Sequence, residues 1–385
     1  MKRLLLAACL ACGFGATHAA TLPASACPDP LTTSPGGGIN NGINVGRAVG
    51  TGPTTARAAL GTGWSRMALR WNDIKPTSGG WSWTEADALV KAHSGTGLKV
   101  LAVINGPKPR WETGDYSSPT VQADWAAFAS AVVERYSGNT PDPGVPGSTL
   151  PRIAAFEIWN EPNAANGIFG GTLAQYHDYL LKPAVDAIRI SANATAFLVA
   201  PAMATNQYFV AANEPATRAN VKNALDQALG TRAGGNLVYV DAVSVHAYLA
   251  PVHTMMMGSG VKDWLASQTL SLPVYLSEFG KNSDQCAGPG LCETGEIIQV
   301  CAFRNYQNRN INTPTFDVTF WFNFIDQDGV APSGVLKQFG VLAVNGDCKN
   351  SPATSNYYSK WIFADMQRQF GVTPTVAHYT PYSCN

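Results

Sequence analysis

The stretch Ile153-Ala154-Ala155-Phe156-Glu157-Ile158-Trp159-Asn160-Glu161-Pro162-Asn163 decides how this chain is read. A short apolar run, too short for a helix and rich in residues that fit a pleated surface, ends abruptly in polar residues and a proline. The same design recurs in Leu272-Pro273-Val274-Tyr275-Leu276-Ser277-Glu278-Phe279-Gly280. Each stretch places a carboxylate where a buried strand meets a loop.

Outward from these two, the chain alternates apolar runs with amphipathic patterns. Strands are predicted at Gly42–Gly46, Ser65–Trp71, Lys99–Asn105, Ile153–Asn160, Ala196–Pro201, Val240–Tyr248, Pro273–Phe279 and Val318–Phe324. Helical spacing falls between them, at Glu85–Lys91, Thr120–Tyr136, Leu173–Ile190, Glu214–Gly230, Met256–Gln268 and Gly295–Arg309, with a last helix at Ser355–Phe370. Strands alternating with helices imply parallel βαβ units. Eight of them favour an α/β fold of the (β/α)8 TIM-barrel type, in a single domain over 40–385. An open doubly wound sheet is the alternative, but it usually carries a glycine-rich phosphate loop after its first strand. Gly46-Arg47-Ala48-Val49-Gly50 does not supply one. In a barrel, functional residues gather at the C-terminal ends of the strands. Glu161 follows the fourth predicted strand and Glu278 ends the seventh, so both are expected at one cavity mouth.

The first 20 residues read as an export signal: basic Met1-Lys2-Arg3, apolar Leu4 to Ala16, then small residues before a cut near Ala20. A lipoprotein signal at Cys9 is the rival reading, but Cys9 comes too early. Residues 21–39 read as a leader segment strapped onto the domain. The chain is therefore expected to be secreted, periplasmic or extracellular, with no membrane contact after cleavage. Of its eight cysteines, Cys9 and Cys12 leave with the signal. Cys27, Cys286, Cys292, Cys301, Cys348 and Cys384 suggest up to three disulfides stabilising loops, with Cys286–Cys292 as one guess. No Cys-x-x-Cys pair or histidine cluster suggests a metal site, and no cofactor is expected. The chain has 26 basic and 26 acidic residues, and charged residues make up only 14% of it. That balance argues against a nucleic-acid or anionic-membrane partner. Abundant Asn, Thr, Ser, Tyr and Trp suit a neutral, hydroxyl-rich ligand, and a monomer is expected.

Two carboxylates facing each other across a cleft are the minimum equipment for cleaving a glycosidic bond. In this order and at these strand ends, Asn160-Glu161 and Glu278 resemble glycoside hydrolase clan A, the retaining (β/α)8 glycosidases. His246 and Tyr248 fit that clan's strand-six motif, Arg66 its strand-two arginine and Trp321 its strand-eight tryptophan. Arg66 to Pro76 and the following Gly80-Trp81-Ser82-Trp83 are similar to family 39 and its relatives, with family 5 next. The resemblance runs from about residue 40 to 365 by strand order. Too little chain follows the last helix for the extra β-sandwich of many family 39 enzymes.

The resemblance implies Glu161 as acid/base and Glu278 as nucleophile. Glu161 must stay protonated until it donates, and nearby negative Glu278 together with partial burial is expected to raise its pKa. Arg66 and the Tyr248 hydroxyl are expected to hold Glu278 ionised. Asn160 is placed on the sugar 2-hydroxyl, and His246 on Glu161 or a sugar hydroxyl. Arg70 shares a strand face with Arg66, and only the resemblance prefers Arg66. Glu157 lies four residues deeper than Glu161 and reads as a structural partner, perhaps of an arginine. Trp71, Trp111 and Trp321 are the candidate platforms for sugar faces, with Trp81 and Trp83 in a loop nearby. The carbohydrate partner is then a poly- or oligosaccharide, cleaved by endo action. Exo action, a non-catalytic carbohydrate-binding barrel and a polysaccharide lyase are the alternatives.

Overall fold

The computed structural model describes residues 40–45, 51–95, 97–165, 167–281, 293–324, 342–345, 356–370, 372 and 381–383. The export signal, the leader segment and the proposed Cys286–Cys292 pair lie outside them. In chain order the elements are β1 (Asn41–Asn44), α1 (Thr51–Ala59), β2 (Trp64–Arg70), α2 (Trp71–Ile74), α3 (Thr84–Ser94), β3 (Lys99–Asn105), α4 (Pro119–Arg135), β4 (Ala155–Ile158), α5 (Leu173–Tyr176), α6 (Lys182–Arg189), β5 (Leu198–Val199), β6 (Met203–Ala204), α7 (Glu214–Leu229), β7 (Val243–His246), α8 (Pro251–Ser267), β8 (Val274–Phe279), α9 (Glu293–Asn312), β9 (Val318–Trp321), β10 (Leu342–Asn345), β11 (Asn356–Ser359), α10 (Trp361–Gln369) and β12 (Pro381–Ser383).

The first nine strands form one sheet in the order β5-β4-β3-β2-β1-β9-β8-β7-β6, and every pairing in it is parallel. The two ends of that order, β5 and β6, are pieces of one seven-residue segment broken around Pro201. Proline has no N–H to give a ladder, which explains the break. Parallel bridges Val199–Ala242 and Asn160–Ala202 tie the segment to both neighbours. The sheet therefore curls until its ends meet, in a TIM-barrel-like fold. The single strand expected at Ala196–Pro201 is this interrupted pair.

Two apolar clusters hold the fold. The larger fills the layer between sheet and helices; Trp125, Phe128 and Val132 of α4 lie in it with Leu180, Leu181 and Val185. The smaller lies inside the strands and comprises Trp64, Leu101, Ala155, Val199, Ala242, Tyr275, Val318 and Phe320. Most of these residues stand at the N-terminal ends of their strands, so they form a dry floor. Trp64 meets Tyr275 and Phe320 edge-on at 6.1 and 6.2 Å. Gly42 makes room for that floor, since a Cβ there would sit 2.4 Å from Phe320. Above the floor the interior turns polar, with Asn44, Arg66, Glu157, Ser244, Ser277 and His246 all buried. A polar layer on an apolar floor leaves the C-terminal ends of the strands as the chemical end.

Several elements depart from expectation. The helix expected over Leu173–Ile190 is helical throughout, but its His177–Leu181 turn is π-helical. Helix α1 and the antiparallel sheet β10-β11-β12 were not anticipated. The last helix begins at Trp361 because Asn356–Ser359 pairs in that sheet instead. Cys301 on α9 is disulfide-bonded, with its partner outside the described residues. No helix among the described residues is long and apolar enough to cross a membrane.

Candidate active site

The end of β4 is where the backbone does unusual work. Along a regular strand, neighbours point to opposite faces, so Asn160 and Glu161 could not both face inward. Here Trp159 and Glu161 adopt left-handed φ values of 79° and 46°. Each such residue costs about 1–3 kcal/mol and persists only where its surroundings impose it. The imposition is visible. Trp159 is fully buried and meets Tyr116, Trp125 and Phe169 edge-on. The Glu161 N–H donates to the Ala202 carbonyl at 2.7 Å. The twist turns Asn160 and Glu161 into the same cavity. On the facing side, register shifts between Val245 and His246 and between Leu276 and Phe279 re-aim His246 and Glu278.

Arg66, in the middle of β2, is the hub of the interior. Its Nε and Nη2 both donate to Glu157 Oε2, at 2.8 and 2.6 Å. Nη1 donates to Asn44 Oδ1 at 2.8 Å and to Glu278 Oε1 at 2.5 Å. Nη2 also donates to Asn160 Oδ1 at 2.8 Å. All five guanidinium N–H groups are thereby committed to oxygens. Burial alone would lower the Arg66 pKa, but the charges of Glu157 and Glu278 outweigh it and raise it. Tyr248 completes the cradle, donating its hydroxyl to Glu278 Oε2 at 2.6 Å. Burial, with the Glu278 charge, pushes the Tyr248 phenol well up, so it remains a donor. Asn44 fixes the frame from below by donating to the Ser277 carbonyl at 2.9 Å.

Glu161 is held differently. Its Oε1 lies 2.7 Å from His246 Nδ1, which is also 3.5 Å from Glu278 Oε2. Burial pushes the Glu161 carboxyl up, but the His246 hydrogen bond and the charges of His246 and Arg66 outweigh it. The net direction is downward. This corrects the expected rise: the cationic neighbours, not the negative Glu278, decide the sign in the free site.

One oxygen from each glutamate and one His246 nitrogen lie within 4.8 Å of one another. These three are the one group among the described residues with the ligand types for a cation. All are already engaged by protein donors, and Arg66 supplies positive charge on the spot.

The other expected residues divide. Asn160, His246 and Tyr248 gather round the carboxylates. Trp321 is buried, edge-on to Phe279 and Phe303. With Tyr248 and Phe279 it lines a cavity of about 510 Å³ against α8 and α9, and neither glutamate is part of that lining. Trp71 is not a platform. It opens α2 with 0% exposure, its ring 5.4 Å from Trp125 and stacked on Phe128. No face is left for a ligand. Trp111 stands in the loop after β3, donating to the Lys75 carbonyl, and the Lys75 ammonium lies over both Trp111 and Trp81. Among the described residues no hydrogen bond joins Trp111 to either glutamate. Arg70 is exposed and lines a separate cavity against α3, which leaves Arg66 as the interior arginine. Asn44 was missed. Its signal was a polar residue closing the first strand, one place after Ile43, which packs outward in the layer between sheet and helices.

No protein-family model matches this chain, and no curated protein matches it. Solved structures do. A family 39 glycoside hydrolase from the gut symbiont Bacteroides cellulosilyticus WH2 aligns with TM-score 0.55 and 18% identity over 80% of this chain and 60% of that one. A β-glucosidase designated 1317 aligns with TM-score 0.61 and 16% identity over 84% and 87%. The exo-β-1,4-mannosidase Op5Man5 from Opitutaceae bacterium strain TAV5 aligns with TM-score 0.55 and 17% identity over 79% and 56%. This chain thus spans less than two thirds of the first and third of these proteins. At such identities the likeness is one of fold, and it is a fold that glycosidases of several kinds share.

Proposed function

We propose that this protein is a secreted retaining glycosidase that cleaves β-glycosidic bonds by double displacement. The observation that carries the reading is the spacing of the two glutamates, with oxygens within 4.8 Å. Retaining enzymes need carboxyl groups about 5–5.5 Å apart, whereas inverting ones leave room for a water at about 6.5–9.5 Å.

Glu278 is the nucleophile. Its two oxygens are gripped by Arg66 and Tyr248, so it is fixed in place before substrate arrives. In the first step a Glu278 oxygen attacks the anomeric carbon, the bond to the leaving oxygen breaks, and that oxygen takes a proton from Glu161. In the second, Glu161 removes a proton from water as the water displaces Glu278. His246 is what lets Glu161 change state twice. The pair shares one hydrogen bond, and it shifts its proton as the charge on Glu278 disappears and returns. Asn160 gives its carbonyl oxygen to Arg66, which leaves its NH2 group to donate to a sugar 2-hydroxyl.

The substrate is a poly- or oligosaccharide, attacked internally. Support for internal attack is Trp81 and Trp111, set around Lys75 in the loops that follow β2 and β3, where a longer chain would lie. A glycan and aryl-glycoside panel with product masses tests this. Turnover by the wild type but not by Glu278→Gln is expected, with products longer than disaccharides. Binding without turnover in both proteins would make the barrel a carbohydrate-binding module, and release of single sugars alone would make the action exo. Export is tested by finding the chain without residues 1–20 outside the cytoplasm.

A further inference from the structure

Glu157 is a third carboxylate in the barrel, and the mechanism above does not use it. It lies on β4 with 0% exposure. Its Oε2 receives two N–H groups from Arg66. Its Oε1 is buried with no hydrogen-bond partner among the described residues. A buried, half-satisfied carboxylate is costly unless a charge holds it. Arg66 is that charge, and Arg66 also holds Glu278. One cation therefore sits between two anions.

We propose that Glu157 is a positioning residue that keeps Arg66 neutralised while Glu278 is glycosylated, and so makes formation of the covalent intermediate possible. The inference rests on the retaining reading. In the free site Arg66, Glu157 and Glu278 together carry one net negative charge. When a Glu278 oxygen bonds the anomeric carbon, the carboxylate becomes an ester and its charge is gone. The leaving oxygen departs with the bonding pair and takes its proton from Glu161. Arg66 is then left facing Glu157 alone, as a neutral, doubly hydrogen-bonded pair. Without Glu157 the same step would strand a guanidinium that is 4% exposed, with an ester where its counter-charge had been. Arg66 would then hold Glu278 as its one directly ion-paired carboxylate among the described residues and resist the first step. The reverse change, which restores the Glu278 charge, would not be resisted. Glu157 therefore acts on one of the two steps. A residue that merely filled the core would affect both.

The test is trapping. Wild type, Glu157→Gln and Glu157→Asp are mixed with 2-deoxy-2-fluoro glycosides bearing a 2,4-dinitrophenolate leaving group. Ester formation is followed by intact mass and by the phenolate burst. In Glu157→Gln the trapping rate is expected to fall at least about 100-fold, while loss of the trapped sugar proceeds as fast as in wild type or faster. Glu157→Asp, which keeps the charge, should recover most of the trapping rate. Equal slowing of both steps, or an Asp variant as slow as Gln, would overturn the proposal. A crystal structure of the trapped wild-type protein provides a check that needs no variant: Arg66 should keep both contacts to Glu157, and an Arg66 turned away from Glu157 would contradict it. If wild type forms no ester on Glu278 with any glycoside it turns over, the retaining reading itself has failed, which is a different outcome.

Discussion

The two ends of the site are built on opposite principles. Around Glu278 the protein is rigid and saturated: a guanidinium with all five donors placed, a phenol kept protonated by burial, and an asparagine pinning the strand below. Glu278 is only 12% exposed. Around Glu161 it is looser. That carboxyl is 27% exposed, stands on a left-handed backbone residue and has one side-chain hydrogen-bond partner among the described residues, the His246 imidazole. A nucleophile must hold one charge state and one position until it reacts. An acid/base must change charge twice in each cycle. The contrast between a carboxylate gripped on both oxygens and one held by a single imidazole follows from that difference.

The contrast can be broken by substitution. The largest effect is expected at the rigid end: Glu278→Gln should lower kcat by on the order of 10^4-fold or more, on every substrate. Glu161→Ala should cost about 10²–10⁴-fold on poor leaving groups and far less on dinitrophenyl glycosides, with azide restoring turnover on the latter. Equal losses for good and poor leaving groups would end the acid/base assignment. Arg66→Met removes the cation from between two buried carboxylates. Urea unfolding should show a loss of about 3–5 kcal/mol, and an unchanged midpoint would mean Glu157 is not relying on it. Tyr248→Phe removes a single charge-assisted hydrogen bond, so kcat/KM should fall by about 10–100-fold.

The smallest effect is a shift in pH rather than a loss. Burial raises the Glu161 pKa, and the His246 hydrogen bond together with the charges of His246 and Arg66 outweighs that rise. His246→Asn removes the largest lowering cause and leaves burial opposed only by Arg66. The Glu161 pKa then moves up. An acid with a higher pKa stays protonated to higher pH, so the alkaline limb of kcat/KM should move upward. A downward shift would show that Glu161 is not the group titrating there.

The same contrast runs through what the sequence revealed. Glu278 and Glu161 were legible because each closes a short, mostly apolar run, and the parallel fold follows from the alternation those runs take part in. Arg66 was separable from Arg70 only by resemblance, since strand parity puts both on one face, and the structure separates them by depth. Trp71 was misread because it comes at the strand end, yet the chain turns into a helix at that residue and swings the ring under α4. The fifth strand was blurred by Pro201, and strands of three or four residues such as β10 to β12 carry too little pattern to register. The downward pKa of Glu161 was out of reach, because it depends on His246, 85 residues away in sequence, docking on one carboxylate oxygen.

The most direct test of the account is proton NMR of the first-formed product, read before mutarotation, on whichever β-glycoside the protein turns over. The β-anomer is expected. An α-anomer would mean that water, not Glu278, attacks the sugar, and would contradict the role given to the Arg66 and Tyr248 cradle.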